Sequence, residues 1–224
     1  MCGIVARFST QPLPNDNFLL RATQQLKHRG PDGEGIFRSA SVELGHHRLS
    51  IISPETGAQP LCDEATGVVL TYNGEVFNYR DLREVLKARG HVFRTETDTE
   101  VVLRGYLEFG VGVLDRLEGM FAFVLYDPRA QKVFGARDRM GVKPLYYYHD
   151  EKGSIVASEI KAILEDRRVP RTISPEALME YLVFGFVAGS CTSFSAIREV
   201  EPGQYFIFEK GDFVFRSYWN PAEE

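Results

Sequence analysis

Cys2 is the residue of this 224-residue chain with the clearest potential for nucleophilic chemistry. Removal of Met1, which is usual when the second residue is small, would leave Cys2 with both a thiol and a free α-amine. Such an amine titrates at about 8, so near neutral pH it can accept the thiol proton, directly or through a water. The alternative is that Cys2 is a small buried residue at the start of an apolar strand.

Other polar residues stand at the ends of predicted strands or in turns, namely Arg48, Asn73, Gly74, Glu75 and Asp98. Acyl transfer from an amide needs a nucleophile, a base and donors for the tetrahedral oxyanion. The Asn73 side-chain amide and the Gly74 backbone N–H can serve as those donors. The alternative for Asn73-Gly74 is a plain hairpin turn, because this dipeptide between two apolar runs is a strong hairpin signal.

The charged residues in this group could bind the two ends of an α-amino acid. Arg48 could hold a carboxylate through paired hydrogen bonds, and Glu75 and Asp98 could bind an ammonium group. The alternatives are a surface arginine, a solvated strand residue and a carboxylate favoured by the dipole of a helix start. One cation and two anions around a cysteine suit an α-amino acid with an amide side chain, of which glutamine is the obvious member.

Composition excludes several other classes of function. The net charge of -5 argues against nucleic acid as a partner, because phosphate binding needs a basic face. No apolar run approaches transmembrane length, and the start lacks the pattern of a signal peptide, so we expect no membrane association. Cys2, Cys62 and Cys191 are odd in number and far apart, which predicts neither a metal site nor a disulfide framework and suits a reducing, cytoplasmic location.

Hydrophobic periodicity predicts strands and helices in an order typical of antiparallel sheets. Strands are predicted over residues 3–8, 41–49, 68–72, 121–126, 133–138, 145–149, 155–157, 204–208 and 213–218. Helices are predicted over residues 18–26, 79–89, 97–109 and 158–164, with Thr97 and Ser158 as caps. A last helix is predicted to open at Ser174-Pro175-Glu176, with proline at its first position. The glycine-rich segment 28–35 is predicted to be a loop. Because most strands come as adjacent hairpins, we expect antiparallel sheets covered by helices.

An ordered set of motifs gives the chain a recognisable family resemblance. They lie at residues 1–5, 28–32, 46–51, 72–75, 95–100, 117–122 and 137–145, the last being the sequence RDRMGVKPL. Together they resemble the class II glutamine amidotransferase domain, a kind of N-terminal nucleophile hydrolase. Within that family the set is most similar to the amino-terminal glutaminase domain of asparagine synthetases.

The resemblance implies an α+β fold, a four-layer αββα sandwich of two antiparallel sheets. It also implies that Cys2 is the nucleophile after Met1 removal, with Asn73 and Gly74 as the oxyanion hole. The implied substrate-binding residues are Arg48, Leu49, Ser50, Ile51, Ile52, Asn73, Gly74, Glu75 and Asp98. The resemblance also implies that Arg29 lies near the active site, behind the residues that contact the substrate.

The implied reaction converts L-glutamine to L-glutamate and ammonia through a cysteinyl thioester, without a metal or cofactor. Asparagine synthetases use ATP and Mg²⁺ in a second domain, and the phosphate-binding loop of that domain is not found in this sequence. We therefore expect an amidotransferase domain over residues 1–218, with residues 219–224 beginning a connection to an ammonia-accepting synthetase domain.

Two alternatives to this interpretation stay open. The ammonia could go to another acceptor, such as a sugar, a peptide or an antibiotic precursor. The domain could also be a non-catalytic module that senses glutamine. A homodimer is a further expectation, since a surface made to face a partner domain would be apolar.

Overall fold

The computed structural model describes residues 1–52 and 55–222. Its strands are β1 (Gly3–Phe8), β2 (Gly33–Arg38), β3 (Val42–Arg48), β4 (Leu61–Cys62), β5 (Val69–Val76), β6 (Gly119–Asp127), β7 (Lys132–Arg137), β8 (Tyr146–Asp150), β9 (Gly153–Ala157), β10 (Arg198–Glu199), β11 (Gln204–Glu209) and β12 (Asp212–Ser217). Its α-helices are α1 (Phe18–Gln24), α2 (Tyr79–Ala88), α3 (Asp98–Phe109), α4 (Ile160–Ile163) and α5 (Pro175–Phe184).

The strands form two six-stranded sheets. The order is β10-β8-β9-β1-β3-β2 in the first sheet and β12-β11-β7-β6-β5-β4 in the second. Neighbouring strands are antiparallel throughout both sheets. The prediction of antiparallel sheets is therefore confirmed.

Three apolar cores hold four layers together. The middle core joins the sheets, with Ile4 and Phe8 of β1 packed in one cluster with Val124 of β6 and Phe206 of β11. A second core packs α2 and α3 on the outer face of the second sheet, and a third packs α1 and α4 on the outer face of the first. This is the expected αββα sandwich.

Strand alternation brings the predicted site residues to one end of the space between the sheets. Alternate side chains of a strand share a face, and even-numbered residues of β1 and β3 face the middle core, as do odd-numbered residues of β5. Cys2, Arg48, Asn73 and Glu75 belong to these inward-facing series. Because β1 begins where β3 and β5 end, these four residues meet at the same end of the sandwich.

Part of the predicted loop over residues 28–35 is wrong, because β2 begins at Gly33. The glycine at position 35 serves close packing within a strand. A Cβ at Gly35 would clash with the carbonyl oxygen of Gln59, so its absence lets the loop before β4 lie against β2. The short strands β4 and β10 were not predicted, since two-residue pairings leave no periodic pattern.

The hairpin alternative for Asn73-Gly74 is also wrong. Both residues lie inside β5, opposite Ala122 and Phe121 of β6, because the ladder continues to Val76. The predicted Thr97 cap is confirmed, since its hydroxyl accepts the N–H of Glu100 at 3.2 Å.

The helix starts predicted at Ser174 and Ser158 have opposite outcomes. Ser174 accepts the N–H of Ala177 at 3.2 Å and so begins α5 as predicted. Ser158 does not begin α4, which starts at Ile160 after Glu159. The Ser158 hydroxyl instead accepts the N–H of Ile4 at 3.0 Å, which ties the end of β9 to the start of β1.

Candidate active site

A cavity of about 110 Å³ lies at this end of the sandwich. Its walls contain most of the residues singled out in the sequence: Cys2, Arg48, Leu49, Ile51, Ile52, Asn73, Gly74, Glu75 and Asp98. Ser50 is not among the lining residues, and its N–H donates to Asp32 Oδ2 at 2.8 Å. Arg29 lies behind Cys2, where its Nε donates to the Cys2 carbonyl oxygen at 2.9 Å.

The Cys2 sulfur is held against the end of β3. The Leu49 N–H donates to Sγ at 3.3 Å, and Sγ lies 3.6 Å from the Leu49 carbonyl oxygen. Burial raises the pKa of the Cys2 thiol, while the Leu49 N–H, the amino terminus, Arg48 and Lys143 act in the lowering direction. With the pKa raised above its usual range, the thiol needs a base to become a nucleophile at neutral pH.

The backbone edge of β5 presents one N–H to the cavity. The Tyr72 N–H donates to Gln59 Oε1 at 2.7 Å, and the Val76 N–H donates to Asp98 Oδ2 at 3.1 Å. Alternate N–H groups of a strand point the same way, so the Gly74 N–H lies between these two on the same edge. Phe121, which faces Gly74 across the two strands, is consistent with a Gly74 N–H that points away from β6. The Phe121 N–H donates to Asp138 Oδ2 and its carbonyl oxygen accepts the Asp138 N–H, so neither group bonds β5.

The Asn73 side chain provides a second donor beside the first. Asn73 is only 1 % exposed, and among residues 1–52 and 55–222 its Nδ2 has no hydrogen-bond partner. An unsatisfied buried donor costs about 1–3 kcal/mol, so its retention calls for a reason. Two unbonded donors on adjacent residues of a cavity wall can hold the oxygen of a tetrahedral intermediate.

Gly74 has no room for a side chain. A Cβ at this position would lie 2.5 Å from the Met120 carbonyl oxygen and 2.7 Å from the Phe121 Cβ. The glycine therefore lets β5 and β6 approach closely beside the cavity.

Asp98 supplies a fixed negative charge at the start of α3. Its carboxylate accepts the Tyr72 hydroxyl at 2.7 Å, the Val76 N–H at 3.1 Å and the Thr99 N–H at 2.9 Å. Burial raises the pKa of Asp98, and these hydrogen bonds oppose that rise. The Tyr72 pKa lies well above its usual value because of burial and the neighbouring Asp98, so Tyr72 stays a donor.

Opposite charges thus meet across one small cavity. Arg48 stands at the end of β3, where its Nη2 donates to the Ile52 carbonyl oxygen at 3.2 Å. Glu75 and Asp98 stand on the side formed by β5 and α3. A zwitterion with a carboxylate at one end and an ammonium at the other matches this separation of charge.

A family comparison agrees with this site. The profile of the glutamine amidotransferase domain matches residues 1–219. The chain belongs to the glutamine amidotransferase domain family. Sequence relatives include asparagine synthetase [glutamine-hydrolyzing] 1 of Bacillus subtilis, 38% identical over 98% of this chain and 35% of the relative. A putative asparagine synthetase [glutamine-hydrolyzing] 2 of Methanocaldococcus jannaschii is 33% identical over 98% of this chain and 46% of the relative.

Solved structures show the same fold at lower identity. Glutamine phosphoribosylpyrophosphate amidotransferase of B. subtilis, complexed with ADP and GMP, superposes with a TM-score of 0.69 at 21% identity, over 97% of this chain and 49% of that chain. The amidotransferase domain spans about 35% to 37% of the length of the first two curated relatives. Within residues 1–52 and 55–222, every helix is too short or too polar to span a bilayer.

The cavity of the amidotransferase domain contains lining residues that our sequence analysis missed: Met1, Gly57, Gln59, Tyr72, Thr97, Thr99, Met120 and Lys143. Six of them belong to motifs that carry the family resemblance, so the signal for them was present but unused: Met1, Tyr72, Thr97, Thr99, Met120 and Lys143. Gly57 and Gln59 reach the cavity only through the path of the loop before β4, which no local pattern reveals.

Met1 lies at the wall of the cavity, directly before the candidate nucleophile in the chain. Its Sδ lies 4.0 Å from Arg29 Nη2, and its peptide bond ties up the Cys2 nitrogen. An amide nitrogen cannot accept a proton at neutral pH, so the chemistry proposed below begins only when Met1 is removed.

Proposed function

We propose that this domain, once Met1 is removed, hydrolyses L-glutamine to L-glutamate and ammonia at Cys2. The observation that carries the proposal is the placement of the Asn73 Nδ2 and the Gly74 N–H, both without a partner from the strand ladder, on the wall that contains the Cys2 sulfur. These are the donors that a tetrahedral oxyanion needs beside a nucleophile.

The proposed reaction proceeds in two stages. The Cys2 α-amine takes the thiol proton, and the thiolate attacks the side-chain carbonyl carbon of glutamine, whose oxygen becomes an oxyanion bonded to Asn73 and Gly74. Collapse breaks the carbon–nitrogen bond, and the α-ammonium returns its proton to the leaving ammonia. Water, deprotonated by the same amine, then attacks the thioester and releases glutamate and the thiol.

The charged walls would orient the substrate. Arg48 would bind the α-carboxylate, while Glu75 and Asp98 would bind the α-ammonium, which leaves the amide pointing toward Cys2. The backbone of Leu49, Ile51 and Ile52 would line the side of this pocket, and Arg29 would hold the Cys2 carbonyl. The route as proposed uses no metal or cofactor, because Cys2 supplies both nucleophile and base.

Replacing Asn73 by alanine should separate catalysis from binding. Loss of one oxyanion donor should lower kcat about 10²- to 10³-fold with little change in KM, because the donor acts mainly in the transition state. Steady-state kinetics on Met1-free protein measure both constants. A variant that changed only KM would refute the oxyanion role.

Arg48→Ala provides the matched contrast. Its contact with the substrate carboxylate exists in the ground state and the transition state alike, so we expect mainly a raised KM. The paired variants therefore report the two roles independently.

We further propose that the ammonia passes to an amide-forming synthetase domain. The sequence relatives are named asparagine synthetases, and about two thirds of their length lies outside the matched region. Aspartate, activated with ATP and Mg²⁺, is the acceptor that those names favour. Amination of a sugar, a peptide or an antibiotic precursor is the alternative acceptor chemistry.

The exposed side chains of α5 form a surface that another domain or chain could cover. Ala177 is its only buried residue, and six of its exposed residues are large and apolar, whereas Glu176 is exposed and Glu180 half-buried: the six are Leu178, Met179, Tyr181, Leu182, Val183 and Phe184. A contiguous exposed apolar surface of this kind usually marks a site of contact with another protein or domain. A synthetase domain would cover it in a longer protein, and a second copy would cover it in a homodimer. Sedimentation of the isolated chain at several concentrations distinguishes a dimer from a monomer.

An assay of products tests the proposed function. Incubated with glutamine, aspartate, ATP and Mg²⁺, the Met1-free chain should release equal amounts of glutamate and ammonia, with no asparagine or AMP. Omitting ATP and aspartate should leave the rate unchanged. Asparagine with AMP and pyrophosphate would contradict our assignment of the synthetase chemistry to another domain.

The same assay also tests the alternative that the domain is a non-catalytic module that senses glutamine. A module that only senses glutamine would bind it without releasing glutamate.

We also propose a cytoplasmic location, which the free thiols of Cys2, Cys62 and Cys191 support, because such thiols persist in a reducing compartment.

A further inference from the structure

The loop between β7 and β8 contains the family motif RDRMGVKPL, to which the proposed reaction gives no role. In this loop Met140 and Val142 are 73% and 53% exposed, whereas Lys143 is 7% exposed. Apolar side chains are usually the buried ones, and lysine is almost never fully buried unless it is paired. This loop shows the opposite arrangement. Something in the fold must hold the lysine inward.

Two charged residues clamp the backbone of this loop. The Asp138 carboxylate accepts the N–H groups of Met140 at 3.1 Å, Val142 at 2.9 Å and Lys143 at 3.0 Å. The Arg137 guanidinium donates to the carbonyl oxygens of Gly141 at 2.7 Å and Lys143 at 2.9 Å. The Lys143 backbone is therefore fixed on both sides of its Cα.

The side chain of Lys143 reaches the wall of the Cys2 cavity. Among residues 1–52 and 55–222, no carboxylate forms an ion pair with its ammonium group, and no side-chain hydrogen bond is present. A buried cation without an anionic partner is costly, so a site that keeps one has a use for its charge.

We propose that the Lys143 ammonium stabilises the negative charge that forms on the Cys2 sulfur. When the thiol proton moves to the α-amine, a thiolate is left in the cavity, and a fixed nearby cation lowers its energy. The direction of the effect of Lys143 on Cys2 agrees, since its charge lowers the Cys2 pKa against the rise caused by burial.

Other charged groups lie around Cys2 and set the background for this effect. The cations are Arg48 from β3, Arg29 at the Cys2 carbonyl and the Met1 amino terminus, which the Cys2 amine replaces once Met1 is removed; the anions in the cavity wall are Glu75 from β5 and Asp98 from α3. In the proposed reaction Arg48, Glu75 and Asp98 each have an end of the substrate to bind. Among the cavity-lining side chains that the structure describes, Lys143 is the other cation, and the thiolate is the charge left for it.

The pH profile of thiol alkylation tests this inference. Met1-free wild type, Lys143→Met and Lys143→Arg are treated with iodoacetamide, and the rate at Cys2 is followed by peptide mass spectrometry. In Lys143→Met the profile should shift to higher pH, with the rate near pH 7 falling about tenfold, the change that one pKa unit produces. Lys143→Arg should keep the wild-type profile, because it keeps the charge.

Controls within the same samples remove a merely structural explanation. The exposed Cys62 and Cys191 should be alkylated at unchanged rates, and Lys152→Met, at an exposed lysine in the β8–β9 turn, should leave the Cys2 profile unchanged. A Lys143→Met profile that superposes on wild type would overturn the proposal. So would a raised KM with unaltered alkylation, which would assign Lys143 to substrate binding.

The inference rests on the proposed glutaminase function, but the two fail separately. A wild-type protein that released no glutamate would remove the proposed function. The alkylation profile would still decide whether Lys143 stabilises the thiolate, because it measures the sulfur without substrate.

Discussion

We expect Cys2→Ala to abolish glutamine hydrolysis, lowering kcat by about 10⁴-fold or more, because no other residue of the cavity can form the thioester. The fold should persist, since the change removes one half-buried sulfur whose hydrogen bonds within residues 1–52 and 55–222 are to Leu49 alone. Glutamate release and a thermal unfolding curve measure the two effects on the same preparation.

Cys62→Ala and Cys191→Ala are the matched controls for this variant. Both thiols are exposed and lie outside the cavity, so each variant should keep most of the activity. A loss of activity in Cys62→Ala as large as that in Cys2→Ala would contradict the assignment of the nucleophile.

Blocking the Cys2 amine should have an effect of comparable size. A chain that keeps Met1 has an amide where the base is needed, and Met1 is one of the residues that line the cavity. We expect turnover to fall about 10²- to 10⁴-fold, the usual contribution of a general base, with weaker glutamine binding in addition.

The experiment compares one protein before and after processing. A cleavable extension placed ahead of Cys2 keeps the amine blocked, and proteolysis then exposes it, with intact mass confirming each form. Activity should appear only after cleavage. Full activity in a sample shown by mass to be entirely blocked would refute the role of the amine.

Local sequence signals identified most elements because their causes are local. The cap at Thr97 and the apolar stripe of α2 follow from residues three or four positions apart. The errors came where tertiary pairing prevailed. Asn73-Gly74 favours a turn in isolation, but β6 continues alongside it and makes it strand, and Ser158 is drawn away from α4 by the N–H of Ile4.

The site could be predicted where a motif residue also lies in the inward-facing series of its strand. Cys2, Arg48, Asn73 and Glu75 lie in inward-facing series of their strands, so their meeting follows once the sheets are paired. The role of Ser50 stays a prediction, since Ser50 is not among the lining residues and its N–H bonds Asp32, which lies just before β2. The inward direction of Lys143 depends on the loop backbone, whose N–H groups donate to the Asp138 carboxylate and whose carbonyl oxygens accept from Arg137. Sequence spacing does not reveal these hydrogen bonds.

The most direct test of the account is the site at which a diazoketone analogue of glutamine becomes attached to the Met1-free protein. Such an analogue has an electrophilic carbon where the side-chain amide of glutamine stands. We predict a single adduct on Cys2, located by peptide mass spectrometry, formed in step with loss of activity and prevented by glutamine. Loss of activity with the adduct on Cys62 or Cys191 and with Cys2 unmodified would contradict the account.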